Sequence, residues 1–136
     1  MALSLLACES ATYDRASVSG TWDDGKTLGS VSRWVLTADG KGAEYAAERK
    51  PGETETKWPT TPSAEFTWEV DEAAHQFKRT LVARDGKPLP KPGELGFSTI
   101  GREPVTYEYE FRASGKRLNL KRNGSYSYNW RRTVGP

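Results

Sequence analysis

The sequence predicts an all-β domain of about eight antiparallel strands, and three observations carry that expectation. Apolar and polar residues alternate with a period of two in several short segments. The segments are separated by Asp-Gly, Asn-Gly and proline-rich punctuation. Five Trp, six Tyr and four Phe in 136 residues supply the bulk of a single small core. No helical periodicity of useful length competes with this pattern.

Taken in order, Val18 to Trp22 is a first strand, and Val31 to Thr37 a second with Trp34 and Leu36 facing in. Asp39-Gly40 turns the chain. Ala43 to Glu48 is a third strand with Tyr45 and Ala47 inward, and Glu65 to Val70 a fourth with Phe66, Trp68 and Val70 inward. Gln76 to Arg84 is a fifth, with Phe77 and Leu81 inward, closed by Asp85-Gly86. Val105 to Arg112 has the cleanest alternation, with Val105, Tyr107, Tyr109 and Phe111 on one face. After the turn Ala113-Ser114-Gly115-Lys116, Arg117 to Lys121 alternates again. Asn123-Gly124 then suits a type I′ hairpin, whose two central residues need positive φ. Ser125 to Arg132 completes the meander with Tyr126, Tyr128 and Trp130 on one face. Strands this short and evenly spaced close as a barrel or pack as a sandwich.

Two stretches interrupt the meander. Lys50 to Pro62 and Lys87 to Pro104 are rich in Pro and Gly, and proline removes the donors a central strand needs. Loops of this length are usually functional or mobile. Their large apolar groups, Trp58 and Phe97, either plug a barrel end or contact a ligand or partner.

Charge is distributed unevenly along the chain. From Glu9 to Glu72 there are 13 acids against 7 bases, and from Ala73 to Pro136 there are 5 against 13, with no acid after Glu110. Two readings follow. The halves neutralise each other across strands, or the basic half presents a surface to anionic headgroups, cell-wall polymer or nucleic acid. A formal net charge of +2 does not by itself call for nucleic acid, which is not expected as a partner.

Gly20-Thr21-Trp22 on the first strand, with Arg131 and Arg132 near the end of the last, resembles the calycin signature of lipocalins and their relatives. The Asp39-Gly40 turn, the Phe66-Thr67-Trp68 strand and the Ser114-to-Leu120 hairpin are similar to short lipocalin-like domains of bacterial lipoproteins. The resemblance implies an eight-stranded antiparallel up-and-down barrel, lipocalin-like, over residues 18–136. It implies barrel closure by Gly20, Trp22 and a late arginine stacked on the indole. Alternation places Trp130 inside and Arg131 outside, so Arg132 is the arginine expected to face Trp22.

Leu5-Leu6-Ala7-Cys8 resembles the lipobox of bacterial lipoproteins, in which a diacylglyceryl group is added to the cysteine sulfur and the chain is cut just before it. Residues 1–17 are then a shortened signal and tether, with Cys8 as the lipidation site. The resemblance implies attachment at the cell envelope. Glu9, where an aspartate would signal retention in the inner membrane, points to the outer membrane. As the only cysteine, Cys8 cannot form an intrachain disulfide.

The chemistry of catalysis is not expected. His75 is the sole histidine, no nucleophile motif accompanies it, and no metal-ligand spacing or phosphate-binding glycine motif is present. No cofactor or metal is therefore called for. The candidate ligand-binding residues are Trp34, Tyr45, Trp68, Tyr107, Tyr109, Tyr126 and Tyr128. Their rings and hydroxyls either bond one another and Arg79 in a filled polar core or line a cavity for a small amphiphile. The function expected is a non-enzymatic, monomeric, exported lipoprotein that binds such a ligand or a partner protein. The alternative is a solid structural or inhibitory envelope module that acts through its long loops.

Overall fold

A computed structural model describes residues 18–99, 103–112 and 115–134. Cys8 and the whole segment 1–17 lie outside the described residues, as do Ala113 and Ser114 of the expected turn. Among the described residues nine strands form: β1 (Gly20–Asp23), β2 (Gly29–Leu36), β3 (Lys41–Arg49), β4 (Ala64–Asp71), β5 (Gln76–Arg84), β6 (Lys87–Pro88), β7 (Val105–Arg112), β8 (Arg117–Arg122) and β9 (Ser125–Val134).

All pairings are antiparallel. The order β4-β3-β2-β1-β9-β8-β7-β5 is closed by β4 pairing with β5, so eight strands make an up-and-down barrel of lipocalin-like architecture. Closure leaves no long edge to template aggregation. The two-residue β6 is a side hairpin on the end of β5. Asn123 and Gly124 both take positive φ (55° and 79°) between β8 and β9, which the type I′ geometry requires.

The two ends of the barrel differ because turns alternate between them. One end carries the tight turns at 37–40 and 72–75 and the connection from β7 to β8, and receives the chain at Val18. The other carries both proline-rich loops, and there the wall opens. β5 pairs with β7 only over Gln76–Arg79, while its far half turns away to meet β6. β3 pairs with β4 only over Lys41–Glu44.

The interior is a column of rings. Trp34 sits in the middle, with centroids 5.1 Å from Phe66, 5.8 Å from Phe77, 4.8 Å from Tyr128 and 4.9 Å from Trp130. Trp68 stacks on Phe77 at 5.7 Å, and Leu118 and Leu120 complete the wall without exposure. Buried indoles find acceptors: Trp22 Nε1 donates to Val18 O, Trp68 Nε1 to Lys41 O and Trp34 Nε1 to a Glu44 carboxylate oxygen. Trp130 Nε1 is buried without a partner.

Three expected orientations are corrected. Tyr45 and Ala47 do not face inward. Tyr45 is paired with Arg33, on the face opposite Trp34 and its partner Glu44, and Ala47 lies two residues further along that same outer face. The alternation on β3 misleads because the outer face is itself covered there. Val31, paired with Ala47, is only 2% exposed on the outside, in a groove walled by Trp58 of the Lys50–Pro62 loop. Meanwhile the inner face takes Gly42, where any Cβ would overlap the Phe66 ring. Tyr126 also faces outward, 48% exposed. Leu120 pairs with Tyr128 but Lys121 pairs with Tyr126, so Ser127 is an extra residue that turns Tyr126 to the outer side.

Candidate functional site

At the tight-turn end, the barrel is shut. Trp22 and Trp34 face each other across β1 and β2, and Arg132 pairs with Trp22 across β9. Its guanidinium carbon lies 4.1 Å from the indole centroid, while Nη1 donates to Ser19 O at 2.7 Å and Nε to Gly115 O at 3.1 Å. One planar cation thus joins the entry to β1 and the β7–β8 turn under a fully buried ring. Burial works against the Arg132 charge and lowers its pKa. Gly20 begins β1 at a φ of 133° that a side chain would resist.

Space exists at the other end. A cavity of about 360 Å³ opens where β5 outruns β7, lined by Glu44, Ser63, Phe66, Arg79, Leu81 and Val105 among others. Arg84 and Glu103 stand at its rim. The two proline-rich loops flank it, since Ser63 ends one and Glu103 lies near the end of the other. Its floor is the ring column.

Arg79 is the distinctive group. Its guanidinium carbon is 5.0 Å from the Trp34 centroid, 5.4 Å from Phe66 and 5.8 Å from Tyr128. Nη2 donates to the Tyr128 hydroxyl at 3.3 Å, and Arg79 makes no ion pair among the described residues. A guanidinium carries five donors, so a half-buried cation stands at the cavity floor with most of its hydrogen-bonding capacity available. Burial pushes the Tyr128 phenol above its ordinary value, against the pull of Arg79, so the hydroxyl stays protonated. The nearby Glu44 carboxylate is engaged by the Trp34 indole at 2.7 Å.

The sequence-derived ligand residues distribute as follows. Trp34, Trp68, Tyr107 and Tyr109 are buried in the column, and Tyr128 packs against it half-buried. Tyr45 and Tyr126 are on the outer wall. None of the seven lines the cavity directly, although Trp34 and Tyr128 hold Arg79 in place. Trp58 lies over Arg33 at 4.5 Å on the outer wall, so it does not plug the barrel. His75 is exposed in the β4–β5 turn at a φ of 53°.

Phe66, Leu81 and Val105 are the site residues that alternation placed inside but did not single out, whereas Arg79 was expected only as a bonding partner of the tyrosines, and it does bond the Tyr128 hydroxyl. A signal for Arg79 was present: a lone base on the inward face of an otherwise apolar strand. The cavity itself depends on where β7 begins, which local pattern does not encode.

No protein-family model, curated protein or solved structure matches the chain.

Proposed function

We propose that the chain is a non-enzymatic binding protein whose barrel mouth takes a small amphiphile with an acidic head. The observation that carries this reading is Arg79: a guanidinium held over three rings, with no carboxylate partner among the described residues, facing a cavity of about 360 Å³. That volume falls at the small end of ligand sites. A carboxylate or phosphate seated on Arg79 would gain charge-assisted hydrogen bonds in a partly desolvated setting. Phe66, Leu81 and Val105 offer apolar wall to a short tail.

Calorimetric titration of the full chain with octanoate and with 1-octanol tests the reading. Octanoate should bind, and Arg79→Gln should weaken it at least tenfold, as expected for loss of about 1.5–3 kcal/mol of charged hydrogen bonding. The alcohol should not distinguish the two proteins. Absence of octanoate binding, or equal binding by Arg79→Gln, would defeat it.

A second reading has its own support. The centre of the barrel is filled by rings, and the Lys87–Pro104 loop presents Leu95 fully exposed and Phe97 38% exposed. Such groups suit docking to a partner protein by the loops of a solid module. Failure of every small amphiphile, with partner capture lost on Leu95→Asp, would favour it.

We further propose that the protein acts as a monomer at the bacterial cell envelope, anchored through a diacylglyceryl group on Cys8, on the outer rather than the inner membrane. The Leu5-Leu6-Ala7-Cys8 motif and Glu9 support this. Intact mass of protein extracted from membranes should show cleavage before Cys8 and an added lipid. A mass retaining Met1 with a free thiol would remove the anchor.

A further inference from the structure

Strand register lines up an unusual row on the outer wall. Arg33 is paired with Asp23, Asp23 with Arg131, Arg131 with Arg117 and Arg117 with Arg112, on five successive strands. Neighbouring strands are about 4.8 Å apart. Directly opposed like charges destabilise a sheet, and here two such pairs follow one another.

The acids present do not relieve the middle of the row. Asp23 is occupied by Arg33 through two bonds of 2.6 and 3.0 Å. Glu110 takes Arg112 at 3.2 Å, together with the Asn119 amide and the Tyr126 hydroxyl. Arg117 and Arg131 are exposed and form no ion pair among the described residues. Nothing acidic follows Glu110 in the chain.

We propose that this face docks on anionic phospholipid headgroups, with Arg117 and Arg131 at the centre of the contact. Charge complementarity selects an anionic partner. The place where the chain enters favours a membrane. Arg112 and Arg117 border the β7–β8 turn, at the end of the barrel where Val18 receives the preceding 17 residues. Arg132 ties that turn to Ser19. A single-stranded nucleic acid would want open aromatic platforms. Of the outer-wall rings flanking the row, Trp58 already lies beneath Arg33 at 4.5 Å and Tyr126 beneath Lys121 at 4.7 Å, and Tyr45, opposite Arg33, is only partly exposed.

The inference does not depend on the barrel mouth, and a test on the full chain carrying Cys8→Ser separates it from any lipid anchor. That protein is sedimented with vesicles of phosphatidylcholine alone and of phosphatidylcholine with 30 mol% phosphatidylglycerol, at about 0.1 M and 0.5 M salt, spanning the range over which screening tightens. Binding should require phosphatidylglycerol and fall at high salt. Arg117→Gln with Arg131→Gln should weaken it about thirtyfold, the equivalent of about 1 kcal/mol for each base near the surface. The same charge change outside the row, Lys78→Gln on β5 with Lys87→Gln on β6, should leave it nearly intact. The Arg117→Gln, Arg131→Gln variant should melt at or above the parent temperature, since it removes opposed like charges and breaks no ion pair among the described residues. Equal binding to both vesicle types, equal loss in the two double variants, or tighter binding to a single-stranded oligonucleotide than to the anionic vesicles would each overturn the proposal.

Discussion

At the scale of single residues, polar groups within the ring column set the costs of change. Trp34 and Trp130 are both buried and lie 4.9 Å apart, yet only Trp34 bonds an acceptor. Trp34→Phe should therefore cost about 1.5–3 kcal/mol more than Trp130→Phe, the usual value of a hydrogen bond to a charged group. Urea titration of both variants measures the difference. Arg132→Lys keeps the charge but not the planar fork that reaches Ser19 and Gly115 while stacking on Trp22. It should destabilise by about 2 kcal/mol, seen as a lower urea midpoint at unchanged slope.

At the scale of elements, strand-to-strand seams depend on small residues and on shared acceptors. Gly42 lets β3 approach β4 closely enough for Phe66 to lie across it. Gly42→Ala forces that ring aside and should cost about 1–3 kcal/mol, with amide exchange quickening first along β3 and β4. Glu110 ties β7 to β8 and β9. Burial acts to raise its pKa, but hydrogen bonds from Asn119, Tyr126 and Arg112 outweigh it and hold the carboxyl below the ordinary value of 4.5. A depressed folded-state value means this stabilisation is complete above 4.5 and fades as pH falls through the lower folded-state value. The stability of the parent should drop more steeply below pH 4.5 than that of Glu110→Gln. Parallel slopes in denaturant titrations across that range would contradict the assignment.

At the scale of the whole molecule, every wall shares one core, and β1 completes the barrel with β9 more than a hundred residues later. A core held in common should give a single cooperative transition, with Trp fluorescence and far-ultraviolet dichroism coinciding in urea. Closure through so distant a pair makes folding slow, in the millisecond-to-second range of non-local β topologies. Stopped-flow refolding would show it. The charge asymmetry is partly resolved at this scale. Acids of the first half meet bases of the second along seams such as Glu69 with Lys78 on β4 and β5. Arg117 and Arg131 remain the exposed excess.

Local pattern determined the eight wall strands, their turns and most inward residues, because alternation, Gly-containing turns and proline breaks are properties of neighbouring positions. Alternation also put Arg131 outside and Arg132 inside, and Arg132 does lie against Trp22. It failed at Tyr45, where the outer wall is covered by a loop, and at Tyr126, where one extra residue reverses the faces. The tertiary structure alone decided which end opens, which brings Arg79 to a cavity, and which register sets arginines side by side. Those outcomes arise from pairings between strands far apart in the chain, and no window of adjacent residues contains the partner.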